Sequence, residues 1–190
     1  MDRKDERIEG LVRQLLVELG EDPEREGIVR SPKRIASSLK FLTSGYAVDV
    51  GALINGAIFT QETTSMVILR DIEFYSLCEH HLLPFFGRCH IGYLPSGSVF
   101  GVSKLARLVD VFARRLQLQE RLTEQISHAV MDSIQPVGVG VMIEAQHLCM
   151  MMRGVEKQSA VMTTSSLLGS FRENAATRQE FLNLVNRPRP

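Results

Sequence analysis

Apolar residues in the first third of the chain recur with a helical period. Ile8, Leu11, Val12, Leu15, Leu16 and Leu19 follow i, i+3, i+4, i+7 spacing, which predicts a helix over about 4–19 with Gly20 as its stop. Asp22-Pro23 has the form of an N-cap followed by a first-turn proline and predicts a short helix there. Ser31-Pro32 repeats the device and predicts a helix to about Thr43, ended by Ser44-Gly45. These helices have one-sided apolar faces, so they need a surface to dock on, in the following domain or in another subunit.

From about residue 64 the period changes. Met66–Leu69 and Ile72–Tyr75 are rich in β-branched and aromatic residues and predict strand, as does Gly87–Leu94, with Pro95-Ser96-Gly97 as a turn. Helical spacing returns over 104–116, through Leu105, Leu108, Val109, Phe112 and Leu116. It continues over 119–134, through Leu122, Ile126, Ala129 and Val130, until Pro136 and Gly138. Val139, Val141, Ile143 and Ala145 alternate as a third strand; about 158–167 reads as a fourth and about 174–185 as a last helix. The tail 187–190 is expected to fray. The order is helices, β, β, α, α, β, β, α. It predicts an α+β layer: an antiparallel sheet with helices on one face, the other face to be covered, for instance by self-association. Residues 1–48 form the expected N-terminal helical region and 49–190 the main domain.

Composition narrows the possibilities. The chain has 190 residues, 44% of them hydrophobic, enough for one domain with a sizeable core. With 22 basic and 22 acidic residues it lacks the charge signature of a general nucleic-acid binder. Three cysteines without framework spacing argue against a disulfide scaffold. The start MDRKDERIEG is neither signal nor transit peptide, and no apolar run reaches membrane-spanning length, so the cytoplasm is the expected location.

The chemistry concentrates in two clusters, Cys78-Glu79-His80-His81 and His147-Leu148-Cys149. Thiolate sulfur and neutral imidazole are preferred zinc ligands. Cys78, His81 and Cys149 are the natural trio. Three protein ligands leave a fourth position for water, the pattern of catalytic zinc. His80 and His147 remain beside the metal to move protons. Cys89 and His90 read as core packing or local hydrogen bonding.

Other residues admit two readings each. Ser103-Lys104 opens a helix after Gly101, with Arg107 one turn on; this is an anion site at a helix N-terminus or an ordinary cap with solvated charges. Gln119-Glu120 is ordinary first-turn chemistry or a pair that reads a nucleobase edge. Arg153 is a surface arginine or an anion clamp near the metal. Met150, Met151 and Met152 read as packing.

The segments SLCEHHLLPFFG, VFGVSKLARLVDVFARRLQLQERLTEQI and EAQHLCMMMRGV resemble GTP cyclohydrolase I, as do GEDPEREGIVRSPKRIA and TSSLLGSFRENAATRQEFL. The resemblance runs from about residue 5 to 186. It implies the tunnelling fold: an antiparallel four-stranded sheet backed by two helices, joined between subunits into five-membered β-barrel rings that stack as a homodecamer with active sites between subunits. It implies conversion of GTP and water to 7,8-dihydroneopterin triphosphate and formate, the entry to folate or tetrahydrobiopterin. By the same resemblance Cys78, His81 and Cys149 hold Zn2+, and His80 and His147 are the acid–base pair. Glu120 with Gln119 anchors the guanine, and Ser103, Lys104, Arg107, Arg153 and Arg34 form the ribose-triphosphate pocket. The chain departs from some members at Ser37, where they carry a second basic residue. Two other classes compete. A non-catalytic zinc-stabilised nucleotide-binding oligomer has little need of two spare imidazoles. Another tunnelling-fold enzyme, such as a deazaguanine nitrile reductase, would use a nucleophilic thiol and NADPH, and the chain has no dinucleotide fingerprint.

Overall fold

The computed structural model describes residues 3–54 and 56–188; the last two residues of the expected frayed tail lie outside that range. The chain divides into two compact units, residues 1–44 and 45–190.

The first unit pairs helix α1 (Arg3–Glu18) with α2 (Ser31–Leu42), tied by Lys40 Nζ on the Asp5 carboxylate at 2.9 Å. Pro32 sits in the first turn of α2, where its missing N–H leaves no bond unmade. The helix expected from Asp22-Pro23 is replaced by successive turns. The Asp22 side chain accepts from the Glu24 N–H at 2.9 Å, an Asx turn that satisfies the donor locally and competes with helix propagation.

The second unit opens with a 3-10 turn (Ser44–Ala47), the short helix α3 (Val50–Ile54) and strand β1 (Ile58–Thr60). Long strands β2 (Val67–Cys78) and β3 (Pro84–Leu94) follow. Next come β4 (Ser98–Phe100), helix α4 (Val102–Ala113), the two-residue strand β5 (Leu116–Gln117) and helix α5 (Gln119–Ile134). The chain ends with β6 (Gly138–His147), α6 (Leu148–Met151), β7 (Met162–Gly169), α7 (Ser170–Glu173) and α8 (Ala175–Val185). The main sheet has the order β5-β2-β3-β6-β7. Its four long strands are antiparallel, and β5 adds to β2 in parallel, making five strands where four were expected. β1 and β4 form a separate antiparallel pair. Leu116, expected in helix, belongs to β5, and β7 starts at Met162 because the chain still turns at 158–159.

The two expected strands at 66–69 and 72–75 are one strand with a bulge between Leu69 and Ile72, where Asp71 takes φ 62°. The bulge shifts the alternation by one residue. Before it Val67 and Leu69 face the helices; after it Ile72, Phe74 and Cys78 do. On that face α4 and α5 bury Leu105, Leu108, Val109, Phe112, Leu122, Ile126 and Val130 against the sheet. The opposite face is covered at one end by Phe171, Phe181 and Val185 of α7 and α8, packed on Met142 and Ile68. Glycine makes this approach possible: a Cβ on Gly140 would stand 2.5 Å from Phe171 Cδ1. Helices therefore lie on both faces, which the sequence order did not predict. The rest of the second face is open, a concavity of about 450 Å3 lined by groups including Glu73, Tyr75, Phe86, Arg88 and Glu144. No helix among the described residues is long and apolar enough to cross a membrane.

Candidate metal centre and its surroundings

Three chain segments converge at one end of the main sheet. β2 ends at Cys78, and the turn into β3 carries Glu79, His80 and His81. Main-chain bonds fix its shape: Leu82 N–H donates to Cys78 O at 2.8 Å, and Cys78 N–H to Leu83 O at 2.9 Å. Leu82 takes φ 55° to close the turn. β6 ends in register beside it, with His147 opposite Phe85, and delivers Cys149 in the first turn of α6. β5 pairs Gln117 with Cys78 and leads directly into α5, placing Gln119 and Glu120 at the same end.

Cys78 Sγ, Cys149 Sγ and an imidazole nitrogen of His81 all lie within 4.8 Å of one another, and Cys78 Sγ is 3.8 Å from His81 Nδ1. This is the one such cluster of three or more potential ligands among the described residues. All three cysteines are free thiols. The Cys149 thiol is pushed above its ordinary value, first by burial and then by the neighbouring Cys78, while Arg153 pulls the other way. Two sulfurs and an imidazole nitrogen this close could hold a soft divalent cation. Sulfur and imidazole donors in this combination suit zinc.

His80 is exposed, its ring 6.1 Å from that of His81 and nearly perpendicular to it at 83°. His147 is half-buried, stacked on Phe85 with centroids 4.6 Å apart, and its Nε2 lies 2.8 Å from Gln119 Oε1. Burial holds this imidazole below its ordinary value, and the Glu120 carboxylate opposes that shift. Glu120 itself is exposed. A cavity of about 340 Å3 opens beside His147, Cys149, Met150, Ala160, Val161 and Met162.

Gln119, expected beside Glu120 at the guanine edge, is buried. It is 1% exposed, and its amide nitrogen is ringed by Ile143 O, Met162 O and Thr164 Oγ1 at 2.9–3.1 Å. Its oxygen faces His147 Nε2, so each of these side-chain contacts is made within the protein. A glutamine at a helix start looks exposed in sequence, and only β6 and β7 folding over it reveal otherwise.

Sequence reasoning also missed Arg121. Its guanidinium pairs with Glu79 in the metal turn, donates from Nε to Gln117 Oε1 at 3.1 Å, and reaches Leu116 O. A charge two positions after Gln119 carries no sequence signal for this. Cys89 is fully buried in the core, and His90 Nδ1 accepts the Asp71 N–H at 3.1 Å, both as expected.

The basic group is not part of this assembly. Ser103, Lys104 and Arg107 occupy the first turns of α4, beside β4, whereas the metal cluster lies past the other end of that helix. Twelve residues of α-helix span about 18 Å. Ser103 and Arg107 are exposed, and Lys104 Nζ donates to Leu53 O at 2.7 Å. Arg34 is exposed on α2 in the first unit.

The family model described as GTP cyclohydrolase I matches residues 8–186. A curated protein of Leptospira biflexa named GTP cyclohydrolase 1 is 58% identical over 178 residues, covering 94% of this chain and 97% of its own. Proteins of the same name from Methylococcus capsulatus and Chromohalobacter salexigens are 58% and 59% identical, covering 95% and 92% of this chain and 97% and 95% of theirs. An archaeosine synthase QueF-Like, solved in the apo form, overlaps 57% of this chain and 97% of its own at TM-score 0.48 and 18% identity. With a match across nearly its whole length and relatives this similar, the chain belongs to the GTP cyclohydrolase I family.

Proposed function

We propose that this protein converts GTP and water to 7,8-dihydroneopterin triphosphate and formate, the opening step of a folate or tetrahydrobiopterin route, with zinc held by Cys78, His81 and Cys149. The observation that carries the reading is the convergence of those three donors with His147 and Glu120 at one end of the sheet.

Held by Cys78, His81 and Cys149, zinc would supply a Lewis acid able to activate water at neutral pH. The protein's own groups do the rest. Glu120 accepts from the two adjacent N–H donors on the guanine edge and holds C8 toward the metal end. Water adds at C8. His80 donates a proton to N7 as the imidazole ring opens, and a second water releases C8 as formate. The ribose then opens, rearranges in Amadori fashion and closes onto the freed amine with loss of one water. His147 moves protons in these later steps.

Ser103, Lys104, Arg107 and Arg153 bind the triphosphate. Because the first three lie about a helix length from the metal cluster of their own chain, the pocket is completed by a second copy. This supports an assembly in which an α4 N-terminus of one subunit meets the metal end of another, and the assembly we assign is the homodecamer of two stacked pentameric barrels with sheets joined edge to edge.

The test is formate release from GTP, with zinc and with chelator, beside a zinc determination. His80→Ala should keep its zinc and lose pterin formation, read by fluorescence after oxidation. Loss of zinc from that variant would overturn the division between ligand and acid. A wild-type, zinc-loaded protein that releases no formate would overturn the proposal itself.

A further inference from the structure

Gln119 joins the metal end of the sheet to the core, and its surroundings dictate where every proton lies. Two of the atoms facing its amide nitrogen, Ile143 O and Met162 O at 3.1 and 2.9 Å, are main-chain carbonyls, which can only accept. That end of the amide is therefore the NH2 group, by chemistry rather than by convention. The third neighbour, Thr164 Oγ1 at 3.1 Å, agrees. Thr123 Oγ1 gives its own proton to Gln119 O at 2.7 Å, so in the 2.7 Å contact between the two hydroxyls Thr164 is the donor, leaving its oxygen free to accept from Gln119. Gln119 and Thr123 are each 1% exposed, so water does not compete.

The other end of the amide is then an oxygen, an acceptor only, and it faces His147 Nε2 at 2.8 Å. A bond at that distance needs a proton on Nε2. In the neutral ring the lone pair is consequently on Nδ1. The Phe85 ring, parallel to His147 within 2°, fixes the imidazole plane. We infer that Gln119 is a positioning residue that holds the His147 Nε2–H, so that Nδ1 is the ring nitrogen left to exchange protons during turnover.

This rests on the proposed role of His147 in proton transfer, but its structural half can be tested without turnover. In zinc-loaded protein labelled with 15N-histidine, long-range 1H–15N correlation reports which ring nitrogen carries hydrogen, and the His147 signals are assigned by their absence in His147→Gln. The expected spectrum has a protonated Nε2 and a bare Nδ1. A bare Nε2, with the only ring proton on Nδ1, overturns the inference whether or not the enzyme turns over. For the functional half, Gln119→Met should retain zinc and the KM for GTP while kcat falls roughly tenfold to a hundredfold. An unchanged kcat in a folded, zinc-loaded variant overturns it. Should that variant fail to fold, the wild-type spectrum still decides the tautomer. Absence of formate release from the wild-type protein would instead strike the proposed function.

Discussion

The ring of His147 lies flat against that of Phe85, with centroids 4.6 Å apart and planes 2° from parallel. The two are direct cross-strand partners in the β3–β6 ladder, and Phe85 is fully buried, edge-on to Phe74 at 5.9 Å. A group assigned to proton transfer is thus oriented by the hydrophobic core. Phe85→Leu keeps most of the apolar volume but removes the flat platform. It should lower stability by about 1–2 kcal/mol and lower kcat while KM stays within about twofold. Phe85→Ala leaves a cavity and should lose about 3–5 kcal/mol. Urea unfolding and GTP turnover measure both. Full kcat in the leucine variant would mean that the ring platform is irrelevant to catalysis.

Removal of a metal ligand should separate activity from fold. Cys149 lies in the single turn of α6, outside the strand ladder and half-exposed. Cys149→Ser should therefore abolish zinc retention and formate release while far-ultraviolet circular dichroism stays that of the wild type. Chelation of the wild-type protein should do the same, reversibly on adding zinc. Loss of secondary structure in either case would make the metal a folding element.

Arg121 pins the turn that carries two of the three ligands, through Glu79. Both side chains are partly exposed, at 41% and 31%, so solvent screening limits the pair to about 1 kcal/mol of stability or less. Its larger effect should be on the metal. Arg121→Ala frees Glu79 and loosens the spacing of Cys78 and His81, so zinc should transfer to a competing chelator about tenfold faster. A transfer rate equal to that of the wild type would show that the main-chain bonds of the turn suffice.

Much of this arrangement is readable from the residues, and what is not has physical reasons. The long helices and strands are visible because their apolar periods run for three turns or more, and α5 begins and ends at Gln119 and Ile134 as expected. The β2 bulge hides behind Arg70-Asp71: a charged pair between two apolar runs reads as a break, whereas the strand continues with its parity shifted. The β1–β4 pair joins three residues to three across about forty positions of chain, too short for periodicity to register. The trio Cys78, His81 and Cys149 is legible because Cys and His in tight clusters are chemically scarce. The role of Gln119 is not, because burial by β6 and β7 is a tertiary property. The separation of Arg107 from the metal is likewise hidden until the direction of α4 along the sheet is known.

His90 should make stability depend on pH. It is 3% exposed; its Nδ1 accepts from Asp71 N–H, and its Nε2 has no hydrogen-bond partner among the described residues, with Glu144 Oε2 3.8 Å away. Burial holds its pKa below the ordinary value; Asp71 and Glu144 pull it up, and Arg70 and Arg88 push it down. Unfolded, the imidazole titrates near about 6.5. Between the lowered folded value and about 6.5 the unfolded chain binds more protons than the folded one, so stability is complete above that window and falls as pH drops through it. Protonation at Nδ1 also removes the acceptor that fixes Asp71 at the bulge. His90→Gln retains an acceptor for Asp71 without a titrating ring. Its unfolding free energy should fall less steeply than that of the wild type from pH 7 to 5, by at most about 1.4 kcal/mol per unit for one proton. His147 is shifted in the same direction, so the variant should keep part of the slope. Parallel curves for the two proteins would show that His90 is equally protonated in the folded and unfolded chains.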